Sequence, residues 1–269
     1  MNDKPLENIF AEERKQMIVE LINKQVKTTV GALCEKFSVS PATIRNDLRE
    51  LEQAGLLKRT HGGAMSNKKA GFELNSYQKE VENIDKKSAI AKAAIKYVQD
   101  GDTIAIDTGT TTLEFVKLLA AKKNITVVTN DLKIAMHLEE NSQIDVIITG
   151  GSVRRSFRST IGLIALNSLK ELSVDRSFIA ANGVSGNRGV TTPNIEQAQV
   201  KERLVEFADE VILLVDSTKL KKASFARFAD LKEIDLIITD VDAPAEVVSE
   251  IESMGVSVEI AAEEMADKR

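Results

Sequence analysis

Residues 39–65 read VSPATIRNDLRELEQAGLLKRTHGGAM. Ser40 is a good N-cap and Pro41 a good first helical residue, so a helix starts there. It runs to Ala54, and Gly55 ends it. Ile44, Leu48 and Leu51 recur at i, i+4 and i+7 and form a buried face. Ala42, Thr43, Arg45, Asn46 and Arg49 are left on the other face. Upstream, Met17, Ile18, Leu21 and Ile22 give residues 11–25 the period of a first helix. Thr28-Thr29 can cap a second, lined by Val30, Leu33, Cys34 and Phe37. Two helices joined by a tight break at Ser38-Val39-Ser40, the second polar in its first half, predict a helix-turn-helix. Its second helix enters a major groove, where Arg grips guanine, Asn grips adenine, and Thr meets either or a thymine methyl. Residues 56–65 predict a hairpin turned at Gly62-Gly63, with Lys58, Arg59 and His61 making it a basic wing. Composition alone favours a plain helical bundle, because Asp47, Glu50 and Glu52 dilute the basic face. The serial order of break, cap, Thr-Ile-Arg, apolar face and wing outweighs it.

The rest of the chain bounds what such a head is attached to. The 269 residues carry 36 Lys+Arg against 41 Asp+Glu, a formal net charge of −5. Bulk-charge binding of nucleic acid is excluded, but a small reading head on an acidic body is not. Residues 1–65 sum to +1 and the remainder to −6. One cysteine, Cys34, excludes an intramolecular disulfide framework, and the two histidines, His61 and His137, make a metal site unexpected. No cofactor motif is present. GTTTLEF lacks the Lys-Ser/Thr of a nucleotide phosphate loop, and Gly183, Gly186 and Gly189 have the wrong spacing for a dinucleotide fingerprint. No signal core or membrane-length apolar run is present, so the expectation is a soluble cytoplasmic protein. The grammar changes near residue 65, giving an expected head at 1–65, a polar linker at 66–77 and a body at 78–269.

In the body, a long helix is predicted over 78–98, after which strands and helices alternate. Strands are expected at 103–107, 125–129, 145–149, 178–181, 211–216, 236–239 and 256–260. This predicts a Rossmann-like α/β body around a mostly parallel sheet, with ligands at the carboxyl ends of the strands. Polar residues and glycines collect at those ends. The first gives Asp107, Gly109, Thr110 and Thr111 before a helix, where small residues, hydroxyls and the helix dipole suit an anion. The others give Thr129-Asn130, then Gly150-Gly151 with Arg154, then Asn182-Gly183, then Asp216 and Lys219. Each is ordinary turn chemistry alone. Five coincident strand ends point to a small, hydroxylated, anionic ligand such as a sugar phosphate.

Taken in order, these motifs resemble the DeoR family of transcription regulators. Residues 39–65 resemble its winged helix-turn-helix, with Asn46 where the family usually has a second basic residue. Asp-Thr-Gly-Thr-Thr, Thr-Asn, Gly-Gly-x-x-Arg, the stretch 175–183 and Asp-x-x-Lys resemble its sugar-phosphate sensor, over about residues 13–240 in all. The resemblance implies a sensor fold similar to ribose-5-phosphate isomerase. It implies that Gly109, Thr110 and Thr111 cradle a phosphate, and that Asp107, Asn130, Asn182, Asp216 and Lys219 meet sugar hydroxyls or charge. Glu196 and Lys201 rank behind them as rim residues.

Such a fold also admits an isomerase reading, in which Asp107, Asp216 or Glu196 moves a proton and Lys219 assists. A fold does not fix a function, and the attached head favours a ligand-controlled switch over an enzyme. The expected partners are double-stranded operator DNA, touched by Ser40, Ala42, Thr43, Arg45, Asn46, Arg49, Lys58, Arg59, His61, Gly62 and Gly63, and a phosphorylated sugar. A homo-oligomer, dimer or tetramer, is expected, because one head touches few phosphates.

Overall fold

The structure, a computed structural model, describes residues 10–25, 27–66 and 73–262. The chain divides into two compact units, Met1–Phe72 and Glu73–Arg269.

In the first unit the order is α1 (Ala11–Gln25), β1 (Lys27–Thr29), α2 (Val30–Phe37), α3 (Pro41–Gln53), β2 (Leu57–Thr60) and β3 (Gly63–Ser66). Thr29 caps α2, its hydroxyl accepting from the Ala32 N–H at 3.2 Å. Ser38, at φ 52°, makes the left-handed turn out of α2. Ser40 then caps α3, accepting from the Thr43 N–H at 3.2 Å. Ile18, Ile22, Leu33, Phe37, Ile44, Leu48, Leu51 and Leu57 form one core. The hairpin has a third strand that the sequence did not announce: β1 pairs antiparallel with β3, giving the order β1-β3-β2. Three residues carry no readable period, and in the sequence Thr28-Thr29 reads as a helix cap. Asp47, counted in the sequence among the charges on the outer face of α3, is in fact buried. Arg14 of α1 donates to it from Nε at 2.7 Å and from Nη2 at 3.3 Å.

The second unit opens with α4 (Ser76–Val81) and α5 (Ile84–Ala94). The single helix expected over 78–98 is therefore broken. Asn83 sits at φ 52°, a left-handed conformation that Asn tolerates better than most residues. The carbonyls of Lys79 and Glu82 at this break both accept from the ammonium of Lys87. There follow β4 (Thr103–Ile106), α6 (Thr110–Val116), β5 (Thr126–Thr129), α7 (Leu132–Asn141), β6 (Asp145–Ile148), β7 (Ser152–Arg154), β8 (Ser159–Ile161) and α8 (Leu163–Leu169). The chain continues with β9 (Val174–Ala180), β10 (Gly183–Ser185), β11 (Gly189–Thr192), α9 (Ile195–Glu206), β12 (Ala208–Leu214), β13 (Ala226–Ala229), β14 (Leu236–Asp240), α10 (Ala245–Ser253) and β15 (Ser257–Ala261).

Seven strands form the central sheet in the order β15-β14-β12-β9-β4-β5-β6, every adjacent pair parallel. Alternating side chains fill two apolar layers, as a sheet covered on both faces requires. Ile104, Ile106, Phe178, Ile212, Leu214 and Ile238 enter one layer, where Phe115 stacks on Phe178 with ring centroids 4.3 Å apart. Ala105, Ile179, Val211, Leu213 and Ile237 enter the other. The strand order runs outward from β4 in both directions, so the carboxyl ends of β4 and β9 border a topological switch. Two smaller sheets, β7-β8 and β10-β11-β13, add antiparallel ribbons. No helix among the described residues is long and apolar enough to cross a membrane.

Candidate functional site

In the first unit, α3 presents an exposed polar face. Ala42, Arg45, Asn46 and Arg49 are exposed, and Thr43 is half-buried. Asn46 is not idle there. Its amide donates to Glu50 at 2.9 Å and its oxygen accepts from Arg49 at 3.3 Å, so reading a base would require exchanging these contacts. The Ser40 hydroxyl is committed to capping and lies 2.9 Å from that of Thr43. Lys58, Arg59, His61 and Gly62 are exposed on the hairpin. Arg59 is tethered by its backbone N–H to Glu52 at 2.8 Å. Gly63 is a correction: it is buried, not presented. A Cβ there would lie 1.9 Å from the Thr28 carbonyl oxygen, so glycine is what lets β3 close on β1.

In the second unit, a cavity opens at the carboxyl ends of β4, β9 and β12. Thr108, Gly109, Thr110 and Thr111 line it after β4, Ala180 to Asn182 after β9, and Val215, Asp216 and Lys219 after β12. The structure thus brings Gly109, Thr110, Thr111, Asn182, Asp216 and Lys219 together. Gly109 is required by close approach, since a Cβ would come within 2.8 Å of the Ala180 Cβ and 2.9 Å of the Thr112 hydroxyl. The first amides of α6 have no intrahelical acceptor, because no preceding turn exists.

Other expected site residues stand behind the cavity or away from its lining. Thr129 is buried and donates to the Ile106 carbonyl at 2.7 Å. Asn130 accepts from the Thr108 N–H at 3.2 Å and donates to the Thr160 carbonyl at 3.3 Å, so it shapes the turn after β4 from beneath. Gly151, at φ 125°, serves the β7–β8 ribbon, where a Cβ would meet the Ile161 carbonyl at 2.7 Å, and Gly150 abuts Ile164. Gly183 packs against the backbone of Lys222 at 2.6 Å from a built Cβ. Arg154 reaches the cavity border only through partners, Glu73 at 2.8 Å and Gln197.

Asp107 is sealed beneath the cavity. Its Oδ2 pairs with Lys201 Nζ and accepts from the Ala180 N–H at 3.1 Å, while Oδ1 has no hydrogen-bond partner. Burial pushes this carboxyl above its ordinary range, and Lys201 opposes the shift. Lys201 also donates to the Ala180 carbonyl at 2.8 Å and lines the cavity. The two residues read from sequence as a rim pair therefore part: Lys201 is central, whereas Glu196 is exposed and outside the lining, which takes Gln197 instead. The i, i+4 spacing of Gln197 and Lys201 after the Asn194 cap was the available signal. Glu73, Ser76, Lys79, Lys87 and Phe157 also line the cavity and were missed, because surface helices carry many similar lysines. Burial lowers the Lys87 ammonium to about 8. Four ammonium groups, those of Lys79, Lys87, Lys201 and Lys219, thus converge on one concave site. Of the three that meet a carboxylate, Lys219 has the loosest contact, Asp216 at 3.8 Å.

Both units match known family models: the DeoR-like helix-turn-helix domain over residues 14–70 and the DeoR C terminal sensor domain over residues 82–241. The HTH-type transcriptional regulator GlpR of Haloferax volcanii is 41% identical over 246 residues, 91% of this chain and 96% of that protein. The transcriptional repressor AccR of Agrobacterium fabrum is 34% identical over 230 residues, 85% of this chain and 89% of that protein. Among solved structures, ribose 5-phosphate isomerase A of Methanocaldococcus jannaschii aligns with a TM-score of 0.39 at 23% identity, over 52% of this chain and 55% of the isomerase. With a reading head and a sensor body both matched in order, the chain belongs to the DeoR family of DNA-binding transcriptional regulators.

Proposed function

We propose that this regulator represses genes of carbohydrate metabolism, and that a phosphorylated sugar in the cavity sets its affinity for operator DNA. One observation carries the reading: four lysines and the start of α6 converge at the carboxyl ends of β4, β9 and β12. Such a site favours an anion, and Asn182, Asp216 and the threonines supply partners for hydroxyls. The relative named as a repressor supports the sign of regulation. Two or more heads in a homo-oligomer would place recognition helices on repeated half-sites. A ligand then shifts DNA affinity only by its differential affinity for the two arrangements of heads.

Fluorescence anisotropy on upstream DNA, at fixed salt and with a panel of aldose and ketose phosphates, tests the reading. Specific binding that one sugar phosphate shifts is the expected result. Lys219→Ala should leave operator affinity intact and abolish that shift, and an unchanged shift would take Lys219 out of the ligand site. On the DNA side, Arg45→Ala should cost about 1–3 kcal/mol of discrimination at one base pair. Equal weakening on operator and unrelated duplex would make Arg45 a phosphate contact instead.

A further inference from the structure

The cavity that gathers cations for an anion already contains one. The Glu73 carboxylate is buried, with only 4% of its side chain exposed. Its Oε1 accepts from Lys79 Nζ at 2.6 Å and from Asn182 Nδ2 at 3.2 Å. Its Oε2 lies 2.8 Å from Arg154 Nη2. Phe157, another lining residue, carries the Arg154 guanidinium 3.6 Å above its ring. Burial disfavours the charge, but Lys79 and Arg154 hold Glu73 below the ordinary carboxylate range. Residues 73–75 belong to no helix or strand, and α4 begins only after the Asn75 cap. Glu73 therefore holds its own segment onto the site through its side chain. It is also the residue at which the chain, seven positions after Ser66, enters the second unit.

We propose that Glu73 is an internal competitor for the ligand's phosphate. In the unliganded protein its carboxylate neutralises Lys79 and Arg154. An arriving phosphate brings more negative charge to the same cations, takes them over and expels Glu73, because like charges in a buried site repel strongly. Residues 73–75 are then released, and occupancy of the cavity is passed to the stretch of chain that leads to the reading head. This rests on the reading of the cavity as a phosphate site. It adds that the switch is an exchange of one anion for another.

The test compares wild type with Glu73→Gln, both full length, titrated calorimetrically with inorganic phosphate and then with the sugar-phosphate panel. Inorganic phosphate has no sugar hydroxyl for Glu73 to hold, so only the competition is read. Glu73→Gln should bind phosphate on the order of tenfold more tightly, equivalent to about 1.4 kcal/mol. In wild type, phosphate should speed hydrogen exchange of amides 73–77 and slow that of 108–113. If the variant misfolds, this exchange experiment on the unaltered protein still decides. Equal or weaker phosphate binding by Glu73→Gln, or slowed exchange at 73–77, overturns the competitor and leaves the cavity reading standing. Failure of wild type and variant alike to bind phosphate or any sugar phosphate overturns both.

Discussion

Replacing Asp47 with Ala should unfold the reading head and leave the sensor unit folded. The Arg14–Asp47 pair joins α1 to α3 inside the first unit, its side chains 10% and 6% exposed. Removing one partner of a buried pair costs about 3–5 kcal/mol, because the remaining charge keeps its desolvation penalty. The core around it is small, ten buried apolar residues among the described residues, and units of this size rest on a few kcal/mol in total. The expected result in a thermal melt is loss of one transition, with the transition of the second unit retained. Binding to operator and to unrelated duplex should vanish together, which separates unfolding from a lost base contact. Sugar-phosphate binding should persist. Replacing both partners with apolar residues of similar volume should restore folding, since neither charge of the pair then has to be desolvated. A head that melts normally as Asp47→Ala would mean that the pair contributes little to stability.

Lys201→Met should have a comparable effect in the second unit, with a pH signature of its own. Lys201 and Asp107 are 2% and 0% exposed. Without the ammonium, Asp107 is a buried carboxylate with no cation, again a cost of about 3–5 kcal/mol. The sign of the pH dependence follows from linkage. A carboxyl whose folded pKa lies above its unfolded value takes up protons on folding, so it destabilises as pH rises and the penalty fades as pH falls. Burial already raises Asp107 in the wild type, and losing Lys201 raises it further. The stability gap between Lys201→Met and wild type should therefore widen from acidic to neutral pH in denaturant titrations. Adding Asp107→Asn to the variant should recover stability and flatten the profile. A gap independent of pH would mean that the loss comes from packing rather than from the stranded charge. Ligand binding should stay impaired in the double variant, because Lys201 itself lines the cavity.

How much of this was readable in advance follows the range of each interaction. Ser40, Pro41, Gly55 and the spacing of Ile44, Leu48 and Leu51 act within a few residues of one another, so the recognition helix was legible. So were the strand ends. Alternation of short apolar runs implies a parallel sheet, and that topology requires the residues after β4, β9 and β12 to converge, bringing Thr110, Asn182 and Lys219 together. Arg154, Asn130 and Thr129 were read as ligand contacts because polarity at a strand end looks the same whether it faces a ligand or a neighbouring loop. What satisfies them, Glu73, Thr160 and Ile106, lies 81, 30 and 23 positions away.

The sequence by itself determined the head's helices, the seven strands of the central sheet in their chain order, and the family, all of which rest on local caps, turns and periods. Only the tertiary structure decided which charges are inward. Asp47 looked like one more exposed acid on a polar helix face, Lys201 like a rim lysine, and Glu73 like part of a polar linker. Each is buried or drawn into the cavity by a partner on another element: Asp47 by Arg14, Lys201 by Asp107, Glu73 by Arg154 and Asn182. A charge is buried only where an opposite charge or a fixed dipole meets it, and no periodicity along the chain encodes where that partner will be.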